Sequence, residues 1–211
     1  MKNIRLIAII LILTLSLSLL TACNNQENKE NPGVVDLEET NSLDETPVEV
    51  KEQYGITIAE DTVSFIDGRG EEVTINKNPE RVVVIYNSFL DIWMKNGGKI
   101  VGRIEESVGQ DPIPGVEDAE LVGKLGSISL EKILALNPDL VILISTQKSQ
   151  MELVPSLEQN NIPFIALEYY VKDDYFKLAR LFSALNERED LYKENVLDIR
   201  DKIDEIIEKA P

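Results

Sequence analysis

The sequence predicts an α/β lobe built on a mainly parallel sheet flanked by helices, followed by a long helix. Two observations carry this. Val82–Tyr86, Leu140–Ile144 and Pro163–Leu167 are continuous apolar runs of strand length, the pattern of strands buried on both faces of a parallel sheet. Helix-competent stretches of about ten residues lie between such runs, and strand–helix alternation of this kind builds βαβ units.

The elements follow in order. Val63–Asp67 and Glu72–Ile75 flank Gly68-Arg69-Gly70, which predicts a hairpin. Pro79-Glu80-Arg81 leads into the first core strand. Asn87 and Ser88 are expected to cap a short helix that ends near Lys95, stopped by Gly97-Gly98. Ile100–Gly102 and Leu121–Gly123 are short strands. Ser129–Leu136 is a helix that must end before Pro138. A helix over 149–160 follows the Leu140–Ile144 strand, and Asp174–Leu185 is another. Asn186, with Glu189 as its capping-box partner, is expected to start a last helix to Ala210. That helix carries Tyr192, Val196, Ile199, Ile203, Ile206 and Ala210 on one face and is about 36 Å long. A coiled-coil segment would show the same spacing.

Composition narrows the function. The 211-residue chain has 21 Lys and Arg against 38 Asp and Glu, a formal charge of −17. So acidic a chain offers no counterion-release term to a phosphate backbone, which excludes nucleic acid as a partner. There is no histidine, which removes the usual general base and the commonest metal ligand. Cys23 is the one cysteine, so internal disulfides and Cys-rich metal sites are excluded. No catalytic residue, metal site or bound cofactor is assigned, and the chain is read as not an enzyme. A glycan hydrolase would need two facing carboxylates across a pocket, and the strand ends supply only Glu168.

The first residues read as an address. Lys2 and Arg5 precede the uncharged, largely aliphatic run Leu6–Leu20, which is too short to span a bilayer. Residues 1–22 are therefore a signal peptide. Leu20-Thr21-Ala22-Cys23 resembles a bacterial lipobox, and that resemblance implies lipidation of Cys23 and an extracytoplasmic protein anchored to the cell membrane. Residues 23–61 are rich in Asn, Gln, Glu, Asp, Thr and Pro with scattered aliphatics, which predicts a disordered acidic tether.

The order of segments from about 62 to 210 resembles the substrate-binding lipoproteins of iron-complex, haem and cobalamin ABC importers. The resemblance rests on Asp67-Gly68-Arg69-Gly70, Pro79-Glu80-Arg81-Val82-Val83-Val84, Ile100-Val101-Gly102, the run from Ser129 to Ile142 with Asn137-Pro138-Asp139, and Ile162-Pro163. It implies two α/β lobes joined by a long helix, with a metal chelate or tetrapyrrole-like ligand between them and delivery to an ABC permease and its ATPase. On that reading residues 62–185 are the N-terminal lobe, 186–211 the interlobe helix, and the second lobe is expected to be missing by truncation. The competing readings are a single-lobe adhesin or scaffold, or a non-functional remnant.

Ligands of open α/β sheets sit beyond the carboxyl ends of the strands. Those ends nominate Tyr86, Asn87, Ser88 and Phe89; Leu125 and Ser127, with Lys124 and Gly126; Ser145 and Thr146, with Gln147; and Tyr169 and Tyr170, with Glu168. Such an aromatic, hydroxyl and amide lining suits a bulky, partly apolar ligand. Each residue has a plainer role available, as packing aromatic or helix cap, and Trp93 reads as core. By resemblance, Glu131 is the residue that docks on the permease, while the helix dipole alone also accounts for a carboxylate there.

Overall fold

The computed structural model describes residues 50–51, 54–107 and 109–209. The signal peptide, Cys23 and most of the tether lie outside the described residues.

Strands β1 (Val50–Lys51), β2 (Thr57–Ile58), β3 (Thr62–Ile66) and β4 (Glu72–Asn76) form an antiparallel meander in that order. β3 and β4 are the predicted hairpin, in register from Thr62↔Asn76 to Ile66↔Glu72. Residues 54–61, expected to belong to the tether, are part of the fold. Ile56 is wholly buried, Ile58 packs on the core, and β2 pairs with the open edge of β3. Two aliphatics beside an unpaired edge are enough to draw this acidic segment into the sheet.

The Asp67-Gly68-Arg69-Gly70 turn is pinned by the buried Asp67 carboxylate, which accepts from the Arg69 backbone N–H at 2.9 Å and from Arg69 Nε at 2.8 Å. Its tip docks on the second sheet. The Gly68 N–H donates to the Ala166 carbonyl at 2.6 Å, and the Arg69 guanidinium lies 4.6 Å from the centre of the Phe164 ring. An edge strand is thereby covered rather than left to pair with another chain.

The second sheet comprises β5 (Val82–Val84), β6 (Gly102–Ile104), β7 (Glu120–Lys124), β8 (Ser127–Ile128), β9 (Leu140–Ile144) and β10 (Phe164–Leu167), in spatial order β10-β9-β5-β6-β7-β8. All pairs are parallel except β7 with β8. The period-two alternation of the strands splits the interior into two cores. Val82, Val84, Leu140, Ile142 and Ile165 face α1 (Asn87–Lys95), α5 (Lys172–Leu185) and the hairpin. Val83, Val141, Leu143 and Ala166 face α2 (Leu130–Ala135), α3 (Lys148–Met151) and α4 (Val154–Gln159). Trp93 is fully buried, stacks edge-on with Phe182 at 5.1 Å and donates from Nε1 to the Lys99 carbonyl.

The quoted motifs turn out to be braces. The Asp139 carboxylate accepts from the backbone N–H groups of Glu80 and Arg81 at 2.8 and 2.9 Å, while the Arg81 guanidinium donates to the Leu136 and Asn137 carbonyls. Pro79-Glu80-Arg81 and Asn137-Pro138-Asp139 thus tie the entrances of the neighbouring strands β5 and β9 and close the end of α2.

Three helix expectations need correction. The helix expected over 149–160 is two, because Pro155 has no N–H to continue α3 and instead sits in the first turn of α4. Asn87 does not cap α1; Tyr86 holds that position without a side-chain bond, and Asn87 is inside the helix. Asn186 closes α5 rather than opening the next helix. Its Nδ2 donates to the carbonyls of Phe182 and Asn96, a job for an amide donor at a C-terminus.

The last helical stretch runs through α6 (Glu189–Tyr192), a π-turn at Lys193–Leu197 and α7 (Asp198–Glu208). Tyr192 and Val196 are buried and Ile199 and Ile203 packed, as the spacing predicts. Ile206, one turn beyond Ile203 on the same face, is 68 % exposed. Ala210 lies outside the described residues. Asn195, within the π-turn, donates to the Lys95 carbonyl at 3.0 Å and so grips the C-terminus of α1.

Candidate functional site

In the parallel sheet the strand order reverses between β9 and β5, where α1 leaves β5 toward one core and α3 leaves β9 toward the other. A crevice at this point is where open α/β sheets hold ligands. Here its floor is occupied by protein. Gln150, at the end of α3 and fully buried, accepts from the Ile144 N–H at 2.9 Å and donates to the Ile85 carbonyl at 2.7 Å.

Beyond that floor, a cleft of about 400 Å³ opens between α1, the loop from β6 to β7 and the start of α5. Helix α1 contributes Ser88, Asp91, Ile92 and Lys95, three of them on the i, i+3/i+4 stripe that faces away from Trp93. The loop contributes Gln110, Asp111, Pro112 and Ile113. Ile113 is buried between two prolines and anchors the loop in the core. Tyr169, just past β10, and Tyr175, in α5, complete the wall.

The loop is also fastened from the strand side. Asn87 is buried in the first turn of α1, and its Nδ2 donates to the Glu105 carbonyl and to Gln110 Oε1 at 3.0 and 3.1 Å. Its Oδ1 is buried with no partner among the described residues.

Lys95 Nζ donates to Asp91 Oδ2 at 2.7 Å, and this bond holds the lysine pKa above its ordinary value against partial burial. Burial, only partly offset by Lys95, pushes the Tyr175 phenol above its ordinary range. Tyr175 is therefore a neutral hydroxyl at physiological pH, and Lys95 a paired cation.

Of the nominated residues, Ser88 and Tyr169 line the cleft. Tyr86 is half-buried against Phe89, ring centres 4.9 Å apart. Phe89 is wholly buried and offers no surface to a ligand; it belongs to the core stripe of α1 with Trp93. Leu125 and Ser127 lie in the β7–β8 hairpin at the far edge of the sheet, not among the cleft walls. Ser145 sits under the Gly68 turn, its hydroxyl donating to Glu168 Oε1 at 3.4 Å. Thr146 and Tyr170 are exposed outside the cleft. Glu131 is exposed in the first turn of α2, behind the Ser129 cap that accepts from the Lys132 N–H. Asp91, Lys95, Gln110, Asp111, Ile113 and Tyr175 were not nominated. The Pro112-Ile113-Pro114 sequence was the one available signal, an aliphatic fixed between prolines in an otherwise polar loop.

A parallel sheet with helices on both faces and an aromatic, hydroxyl-lined cleft past its strand ends make up one α/β lobe. The family model described as periplasmic binding protein matches residues 82–211, and the chain belongs to that family. It is 26% identical over 151 residues to the molybdate-binding protein MolA of Haemophilus influenzae, covering 68% of this chain and 42% of that protein. Among solved structures it is similar to the iron uptake ABC transporter substrate-binding protein PiuA of Streptococcus pneumoniae, with a TM-score of 0.54 at 26% identity over 71% of this chain and 53% of that one. The vitamin B12 binding protein BtuF of Vibrio cholerae shares the fold, with a TM-score of 0.52 at 22% identity over 60% and 49% of the two chains. The chain thus spans about half the length of the relatives it matches.

Proposed function

We propose that this chain supplies one wall of the ligand site of an ABC importer's solute-binding protein and captures an iron complex, cobalamin or haem-like ligand without chemical change. The observation that carries this is the cleft between α1, the 110–113 loop and Tyr169, past the carboxyl ends of the strands, where open α/β sheets hold ligands. Its walls pair phenol rings with hydroxyl and amide groups, which suits a large ligand with a polar rim.

Around that function we place the remaining expectations. Lipidation of Cys23 would keep the protein on the outer face of the cell membrane, beside a permease driven by a cytoplasmic ATPase. Glu131 projects from an exposed helix start and is the proposed contact with that permease. Ser88 and Tyr169 are the nominated residues that we retain as ligand contacts, and Asp91, Lys95, Gln110 and Tyr175 join them.

The test is a fluorescence titration with a ferric siderophore, cobalamin, haem and molybdate in turn. Saturable binding of the siderophore, cobalamin or haem, weakened by changes in the cleft, supports the reading, and binding of molybdate alone contradicts the ligand class. A chain that binds none of them, in its full membrane-extracted form, contradicts it.

A further inference from the structure

One sheet edge is long, regular and open. The outer strands β1 and β8 are two residues each, and β10 is covered at Ala166 by the Gly68 turn. β4 instead runs five residues in unbroken register with β3 and has no second neighbour among the described residues. The Asp67 N–H donates to the Glu71 carbonyl, and the Lys77 N–H to the Asp61 carbonyl. Bonded pairs alternate along an antiparallel ladder, so Val73 and Ile75 bond to β3, while the N–H and C=O groups of Glu72, Thr74 and Asn76 point outward. A groove of about 230 Å³ lies against this edge, between Thr74–Asn78 and Pro163, and shares no residue with the ligand cleft. Native proteins blunt such edges by shortening, bulging or covering them, and none of these devices is present on β4 among the described residues.

The sequence of the edge is complementary to itself. With a second β4 laid antiparallel to the first and centred on Thr74, Thr74 meets Thr74, Glu72 meets Asn76, Val73 meets Ile75 and Glu71 meets Lys77. Every outward N–H and C=O of the strand then finds a partner. Glu71 and Lys77 form no ion pair among the described residues, and the Lys77 ammonium, which donates once to the Glu60 carbonyl, keeps donors for a carboxylate. Sliding the pair by two residues, the smallest step that keeps outward groups facing, sets Glu71 against Ile75 or Pro79 and leaves outward groups unpaired. We infer that β4 is a self-association edge, at which a second copy of this chain joins β4 to β4 across a two-fold axis in one continuous antiparallel sheet. The acidic segment 23–49 is the poorer occupant, because it brings carboxylates against Glu71 and Glu72. The formal charge of −17 makes copies repel, so the association belongs at physiological salt, where the screening length is about 8 Å. Strand pairing alone makes a small interface, and the dimer is weak and reversible.

Sedimentation at physiological salt of residues 23–211, which hold every described residue, tests this, with Cys23→Ser to exclude a disulfide. Between about 1 µM and about 1 mM the parent should pass from monomer to dimer, and hydrogen exchange at the Thr74 amide should slow with it. Thr74→Pro removes an outward N–H that β3 does not use and should leave a monomer at every concentration. Glu71→Lys opposes two lysines and Lys77→Glu opposes two glutamates, so each alone should weaken dimerisation about tenfold. An equimolar mixture of these two variants restores both ion pairs and should dimerise like the parent. Circular dichroism checks that each variant is folded. A parent that stays monomeric up to about 1 mM overturns the inference. So does a dimer that Thr74→Pro leaves intact or that the charge reversals fail to weaken, since its contact lies elsewhere on the chain. A Thr74 amide already protected in the dilute monomer also overturns it, and assigns the edge to residues 23–49.

Discussion

The side-chain amide of Gln150 donates to the Ile85 carbonyl at 2.7 Å, joining a residue of α3 to the end of β5 across the point where the strand order reverses. Its carbonyl meanwhile accepts from Ile144 on β9. The two central strands are thus clasped where a smaller ligand would otherwise enter the sheet, and the cleft is set further out, against α1 and Tyr169.

Gln150→Leu keeps the bulk and removes both bonds. It leaves a buried N–H and a buried carbonyl unpaired, at about 1–3 kcal/mol each if neither finds water. Urea denaturation should show a lower midpoint with an unchanged slope.

The Gly68 turn gives a steric prediction. A Cβ at Gly68 would lie 2.6 Å from Ser145 Oγ, 2.7 Å from Glu168 Cγ and 3.0 Å from the Ala166 carbonyl oxygen. The first two can rotate away, but the backbone carbonyl cannot. Gly68→Ala should lift the hairpin from β10 and cost about 1–3 kcal/mol. Hydrogen exchange should then rise at the Gly68 amide before it rises in the central strands.

The Asp91–Lys95 pair predicts an alkaline effect. The lysine pKa is raised in the folded state, chiefly by its hydrogen bond to Asp91. The pair therefore stabilises the fold at pH below the unfolded value of 10.5, and that contribution fades as pH rises through the folded value. Asp91→Asn should return Lys95 to its ordinary range, read by NMR titration of its side-chain carbon. The lysine is half exposed, so the change in stability should be small.

Asn195 tests how the last helical stretch is held. It bonds the Lys95 carbonyl from within the π-turn, and Arg180 supports the same stretch with a 2.6 Å ion pair to Glu189 and a cation–π contact to Tyr192 at 4.4 Å. Asn195→Ala should cost about 1 kcal/mol and raise exchange in α6 and the π-turn without disturbing the sheet.

The sheet was legible because its strands announce themselves: Leu140–Ile144 is apolar at every position, and burial on both faces demands that. The Asp67–Gly70 turn and the buried Trp93 were readable for similar reasons of local chemistry. Asn186 misled because an asparagine serves either end of a helix, and only the position of Asn96 and Phe182 decides between acceptor and donor. Ile56 and Ile58 were hidden in an acidic background, since two aliphatics form a strand only when an edge such as β3 is offered. The cleft was half legible. Ser88 and Tyr169 follow from the strand-end rule, whereas Asp111 and Tyr175 come from a loop and a helix whose approach depends on tertiary packing. Phe89 was nominated by adjacency to β5, and helical periodicity sends it to the core instead.

The most direct test of ligand binding at this cleft compares Tyr169→Ala with Thr146→Ala, one on its wall and one outside it, in equilibrium titrations against whichever metal chelate or tetrapyrrole the parent chain binds. Loss of a wall phenol should weaken binding by about tenfold or more, in line with an aromatic contact of 1–3 kcal/mol, and Thr146→Ala should match the parent. Unchanged affinity in Tyr169→Ala together with a loss in Thr146→Ala would contradict it and move the ligand to the end of β9.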